Sequence, residues 1–296
     1  MKNDRVLVYR DLTQKQLDRE YNNLEKVSNS AEHLQWYSET SSNYRQTAVC
    51  EMNVEFGVSD TETLDIFFPN GNREARNRPV HVFFHGGYWR ALDKSDFSYI
   101  AKGFENTHAI CIVVNYALIP TINMDELIEQ CRNSMRWIWH NIGNFGGNKN
   151  NITISGHSAG GHIVAMMMAA DWPALDFDCP TDLIKAGVSI SGLFDLEPIR
   201  LCFLNDSLAL DEQIVANNSP LHFENRSNGE LISYYGDREG IEYRRQSDQL
   251  AEKWSRTISV SLKEHDHFTF MHEMYDPKSD LSLMLQRQLG IKNIYK

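Results

Sequence analysis

The chain has 296 residues, 42% of them apolar and 11% aromatic, and a formal net charge of −11. A chain of this length and composition hides roughly three quarters of its unfolded surface in a core, which excludes a disordered polypeptide. The acidic balance repels polyphosphate and anionic lipid, so neither nucleic acid nor a membrane is an expected partner.

The stretch from Met1 to Leu12 mixes Lys2, Asp4, Arg5, Arg10 and Asp11 among its apolar residues, so it does not read as a secretory leader. No segment is apolar enough for long enough to span a bilayer. Cys50, Cys111, Cys131, Cys179 and Cys202 are odd in number, scattered, and never spaced Cys-x-x-Cys. Reduced thiols in a cytoplasmic location are expected, without a disulfide framework or a zinc knuckle. One domain over residues 1–296, with insertions, is the expected organisation.

In chain order, Leu17, Tyr21, Leu24 and Val27 recur at helical spacing, and residues 1–60 are read as a helical N-terminal extension. Short β-branched and aromatic runs then predict strands at Thr63–Phe68, Val80–Phe84 and Ala109–Val114. The polar segment from Asn70 to Pro79 is a turn between the first two. Further strands are predicted at Ile152–Ser155, Gly187–Ile190, Leu231–Tyr235 and Ile258–Leu262. Between them, Met124–His140 places Leu127, Cys131, Met135 and Trp139 on one helical face. Residues from about 197 to 226 lack clean periodicity and are read as a small cap or lid insertion. Alternating strands and helices with near-continuous apolar strands predict an α/β fold: a mostly parallel central sheet with helices on both faces.

The chemistry begins at Gly156-His157-Ser158-Ala159-Gly160, a G-x-S-x-G motif between a predicted strand and a predicted helix, Ala159–Ala170. That setting is the nucleophile elbow of the α/β-hydrolase fold, in which a tight strand-to-helix turn exposes the serine. Glycines two positions to either side let the strand and helix approach closely, and the helix N-terminus favours an oxyanion beside Ser158. A glycine-bounded turn with a passive serine is the competing reading, and the strand and helix around it weigh against that. His85-Gly86-Gly87-Tyr88-Trp89 follows the strand Val80–Phe84, where such hydrolases keep a Gly-rich oxyanion loop. Gly87, Tyr88 and Ala159 are the expected N–H donors of the oxyanion hole. Trp89 is assigned to the substrate side, against its alternative as a core aromatic.

An acid and then a histidine should follow the serine, each after a late strand. Leu231–Tyr235 leads into Gly236-Asp237-Arg238-Glu239, and Ile258–Leu262 into His265-Asp266-His267-Phe268. On local pattern alone either carboxylate and either histidine qualifies. The His-x-His pair has no further ligands at metal spacing, so no metal and no organic cofactor is expected.

FFHGGYW from Phe83, GHSAGGH from Gly156, AMMMAADW ending at Trp172 and SGLFDLEPI from Ser191 together resemble the arylformamidase, or kynurenine formamidase, family of α/β-hydrolases. NSP at Asn218, EYRRQS from Glu242 and HDHF from His265 continue the likeness, and LDREYNN from Leu17 is similar to the family's N-terminal segment. The resemblance places the acid three residues after Gly236, at Glu239, with Asp237 as the fallback, and the base at the histidine before phenylalanine, His267. Many relatives carry Asp where this chain has Glu239, and Gly240-Ile241 stands where they often have Ser-Pro. It implies hydrolysis of N-formyl-L-kynurenine to L-kynurenine and formate through an acyl-enzyme. A carboxylesterase or amidase acting on another small acyl ester or amide is the alternative, and a catalytically silent binding module is the third reading. The expected partner is a small-molecule aryl formamide or ester; a homodimer stays open.

Overall fold

The computed structural model describes residues 6–69 and 73–291. Part of the charged stretch Met1–Leu12, and Asn70, Gly71 and Asn72 of the Asn70–Pro79 turn, lie outside them.

Strands β1 (Leu7–Tyr9) and β2 (Leu12–Thr13) pair with each other, and eight more form the main sheet: β3 (Cys50–Glu55), β4 (Thr63–Phe67), β5 (Arg78–Phe84), β6 (Ile110–Val114), β7 (Gly147–His157), β8 (Ile184–Ile190), β9 (Glu230–Gly236) and β10 (Thr257–Leu262). The order across the sheet is β10-β9-β8-β7-β5-β6-β4-β3. All neighbours run parallel except β3–β4 and β4–β6. The chain crosses from β5 to β6 on one side and then back to β7 on the other.

Successive residues of a strand face opposite sides of a sheet, and this alternation builds two cores. Val80, Val82 and Phe84 of β5, with Ile110, Ile112 and Val114 of β6, pack on one face; Phe83, Cys111 and Val113 pack on the other. Helix Met124–Asn141 covers the first face through Leu127, Cys131 and Met135. It starts at a capping box: Asn123 accepts from the Glu126 N–H at 2.9 Å, and the Glu126 carboxylate accepts from the Asn123 N–H at 2.9 Å. Helix Ala159–Met168 joins it on that face, and Leu281 and Leu285 of helix Asp280–Gln288 cover the other. His81, alternating with Val80 and Val82, meets the hydroxyls of Thr153 and Ser155 on β7 at 2.9 and 2.7 Å. Burial lowers its pKa to about 3, so it stays neutral.

The N-terminal segment departs from a purely helical reading. Helices Gln14–Tyr21, Asn23–Lys26 and Ser30–Arg45 are preceded by the β1–β2 pair, and residues 50–55 form the sheet's edge strand. That strand escapes pattern reading because its pairing with β4 is irregular between Glu51 and Val54, with Asn53 in the left-handed region. Residues 197–226 fold into the short helices Glu197–Arg200, Asn205–Leu208 and Glu212–Asn218 and the 3-10 turn Pro220–His222. Among the described residues no helix is long and apolar enough to cross a membrane.

Candidate active site

Because β6 and β7 flank β5 on opposite sides, the loops leaving the carboxyl ends of β5 and β7 emerge side by side at the sheet's switch point, where open α/β sheets bind ligands. Phe84 and Gly156, the register partners at these ends, bring the Gly86–Gly87 loop against the Ser158 turn.

Ser158 sits between β7 and helix Ala159–Met168 at φ 57°, ψ −117°. For a serine this backbone costs about 1–3 kcal/mol and persists only where its surroundings over-determine it. Two contacts do so. The Ser158 N–H donates to the Ile190 carbonyl at 2.8 Å, and the strand and helix are pressed together across their glycines. A Cβ on Gly160 would lie 2.0 Å from the Phe84 carbonyl oxygen, and one on Gly156 2.3 Å from that of Gly160. The Ser158 N–H is thereby committed to the sheet, whereas the Ala159 N–H at the first helical position has no backbone acceptor among the described residues.

On the neighbouring loop Gly87, Tyr88 and Trp89 all have positive φ, at 110°, 47° and 57°. The Gly87 carbonyl accepts from the N–H groups of Arg90 and Ala91 at 3.1 and 3.0 Å, closing a tight turn. The N–H groups of Gly87 and Tyr88 have no backbone acceptor among the described residues, and both residues border the cavity that Ser158 lines.

The histidine that reaches Ser158 is His267: its Nε2 lies 3.0 Å from Ser158 Oγ and its Nδ1 2.7 Å from Glu239 Oε1. Glu239 is almost fully buried. Its second oxygen accepts from the Gly236 N–H at 2.7 Å and the Ser191 hydroxyl at 2.9 Å, so both oxygens are satisfied. Asp237 instead accepts from the Glu264 N–H at 2.8 Å and ties the β9 loop to the β10 loop. His265 turns away as well, pairing with Glu273 at 2.9 Å and stacking on Phe270.

Trp89 requires a correction. It does not line the cavity: it is fully buried, its Nε1–H donates to His162 Nδ1 at 3.2 Å, and its carbonyl accepts from the Ile119 N–H at 2.9 Å. Consecutive residues in a left-handed turn project to different sides, so Tyr88 borders the cavity while the indole points into the core. The cavity wall also differs from the expected lid. It holds about 140 Å³ and is lined by Leu24, Leu34 and Tyr37 of the N-terminal helices with Leu92, Phe97 and Phe268, and by no residue of the 197–226 segment.

Three residues that pattern reading passes over support the site. Ser191, with φ 52°, holds the Glu239 carboxylate. His157 donates from Nε2 to the His267 carbonyl at 2.7 Å; burial first, then the nearby His267, pushes its pKa well down and keeps it neutral. Tyr37 donates to the Phe268 carbonyl at 2.6 Å, fixing the same loop from the N-terminal helix. Elsewhere, donor atoms of His140, Asp176 and Cys179 lie within 4.8 Å of one another, close enough to share a cation, but none of these residues borders the Ser158 cavity.

Comparison with known proteins bears on this geometry. A model of the BD-FAE family matches residues 64–254, which include β5, the Ser158 elbow and Glu239. The chain belongs to the BD-FAE family. A kynurenine formamidase of Danio rerio is 27% identical over 248 residues, covering 81% of this chain and 82% of the relative. One of Salmo salar is 26% identical over 268 residues, covering 87% and 88%. A candidate thioesterase from Silicibacter sp. TM1040 superimposes with a TM-score of 0.80 at 28% identity, over 90% of this chain and 97% of that one. The chain is thus a hydrolytic enzyme with the α/β-hydrolase fold, and it is similar to kynurenine formamidases over most of its length, as its motifs predict.

Proposed function

We propose that this hydrolase removes a small acyl group, formyl foremost, from an aryl amide, converting N-formyl-L-kynurenine to L-kynurenine and formate. The observation that carries the reading is the hydrogen-bonded chain from Ser158 Oγ through His267 to a buried, fully satisfied Glu239, set in the wall of a small apolar cavity. An apolar cavity of about 150 Å³ takes one benzene ring. The 140 Å³ here is of the size that suits a single ring or a short acyl group.

In this mechanism Ser158 Oγ attacks the carbonyl carbon as His267 Nε2 takes its proton, and Glu239 holds the imidazole with Nδ1–H toward the carboxylate. The carbonyl electron pair moves to oxygen, where the N–H groups of Gly87, Tyr88 and Ala159 are the donors we assign. Collapse breaks the C–N bond as the imidazolium protonates the leaving amine, leaving a formyl-serine. Water then attacks with the same base, and the acid departs as serine is reprotonated. Each step uses groups of the chain, the substrate and water alone.

Glu239→Gln retains size but loses the charge that stabilises the imidazolium, and kcat/KM is expected to fall by about 10⁴. Asp237→Asn, affecting only the tie to Glu264, should cost about tenfold or less. The reverse ranking, measured on one activated ester, moves the acid to Asp237.

The function itself is tested with one aryl amine carrying formyl, acetyl or butyryl groups, alongside N-formyl-L-kynurenine. The formyl compounds should show the highest kcat/KM, with activity falling as the acyl chain lengthens. Preference for butyryl, or for esters with no amide turnover, would make the enzyme a carboxylesterase instead.

A further inference from the structure

Tyr88, whose N–H is assigned to the oxyanion hole, has its phenol anchored by parts of the chain remote in sequence. Its hydroxyl lies 2.8 Å from the Tyr21 carbonyl oxygen, 3.1 Å from Asn23 Nδ2 and 2.8 Å from the Tyr243 hydroxyl. Asn23 Nδ2 also reaches the Tyr243 hydroxyl at 2.6 Å. One proton assignment satisfies all four contacts: the two amide hydrogens of Asn23 go one to each phenol oxygen, Tyr243 donates to Tyr88, and Tyr88 donates to the Tyr21 carbonyl. Asn23 is nearly fully buried, and it borders the cavity together with Tyr88 and Ser158.

The same knot extends to the other side of the site. Tyr243 lies in the first turn of helix Ile241–Lys253, which begins directly after Glu239 and Gly240. Its ring centroid is 5.1 Å from that of His267. Tyr21 in turn accepts from Gln246 Nε2 at 3.0 Å on that helix. The junction between the first two N-terminal helices therefore grips both the oxyanion loop and the element that follows the acid.

We propose that Asn23 is a positioning residue: by pinning the Tyr88 and Tyr243 hydroxyls it holds the left-handed Gly87–Tyr88 backbone with its N–H groups aimed over Ser158, making the N-terminal segment part of the oxyanion-hole assembly. This rests on the serine-hydrolase reading above. Non-glycine residues at positive φ keep that conformation only where their surroundings impose it, and Tyr88 has no other side-chain anchor than this knot among the described hydrogen bonds. Loss of the anchor leaves the Gly87 and Tyr88 N–H groups present and spoils their aim, a defect felt in the transition state more than in ground-state binding.

The experiment compares wild type with Asn23→Asp, which keeps shape and loses the amide donor, Asn23→Ala, and Tyr88→Phe, which removes only the hydroxyl. Steady-state kinetics on a formyl anilide, the rate of inactivation by a fluorophosphonate and the melting temperature are measured for each. Modification of wild type at Ser158 first establishes the underlying reading; its failure would defeat that reading rather than this one. We expect kcat and the inactivation rate to fall together by about 10- to 100-fold, less than the ~10²–10³ for complete loss of one oxyanion donor, with KM within about threefold. If Asn23→Ala does not fold, Asn23→Asp and Tyr88→Phe decide. A rise in KM at unchanged kcat would make Asn23 a substrate contact and overturn the proposal, as would unchanged kinetics in Tyr88→Phe or a lowered melting temperature with wild-type kcat.

Discussion

Ser158→Ala lowers kcat/KM by about 10⁴ or more and leaves the fold intact, because it deletes the attacking atom and little else. The Ser158 hydroxyl has one protein partner among the described residues, His267 Nε2, so the lost hydrogen bond is worth only about 1 kcal/mol of stability. The strained backbone is unchanged by the substitution, since alanine at φ 57° meets the same grip from the Ile190 carbonyl and the flanking glycines. Circular dichroism and the melting temperature should therefore match wild type within a few degrees while turnover of a formyl anilide is nearly abolished. A variant with half the native rate would remove Ser158 from the mechanism.

The second large effect separates the two histidines of the His265-Asp266-His267 loop. His267→Ala should lose activity as severely as Ser158→Ala, because without the imidazole no group accepts the serine proton or returns it to the leaving amine. It also strands the buried Glu239 Oε1, so His267→Gln, which keeps a donor near the carboxylate, is the companion variant if alanine misfolds. His265→Ala removes the Glu273 pair and the stack on Phe270 and should show itself mainly as a lower melting temperature, with kcat/KM within about tenfold. Equal severe losses at both positions, with both variants folded, would contradict His267 as the only base.

The strands around the site were legible because buried parallel strands are short, largely apolar runs, a rule that β5 and β8 follow and that β7 follows only from Ile152 onward, its first five residues being polar or glycine and not buried. The elbow was legible for a different reason: Gly156 and Gly160 stand where a side chain would collide with backbone, which makes the motif a record of packing. Local pattern could not choose between Asp237 and Glu239, since both sit on one polar turn. The difference lies in what surrounds them, the Gly236 N–H and the Ser191 hydroxyl for Glu239 and the Glu264 N–H for Asp237.

What the sequence hid is long-range. Asn23 meets Tyr88 and Tyr243, and Tyr37 meets Phe268, across 65 to 231 residues. Periodicity reports which face of a helix is apolar and is silent on what that face covers. The helical extension was therefore visible as helices and invisible as a cavity wall, whereas the aperiodic 197–226 segment, read as a cap, contributes no residue to the lining of the Ser158 cavity. Trp89 failed similarly: an aromatic beside an oxyanion loop has the same local sequence whether it lines the cavity or packs on His162.

The central claim, that Ser158 is the covalent nucleophile of this hydrolase, is tested most directly by treating the full chain with a fluorophosphonate and mapping the adduct by peptide mass spectrometry. One phosphonyl group per chain, confined to the peptide carrying Ser158, formed at a rate that tracks loss of activity and absent from Ser158→Ala, is the predicted result. Complete inactivation with the adduct on another residue, or full activity retained by a protein phosphonylated at Ser158, would contradict it.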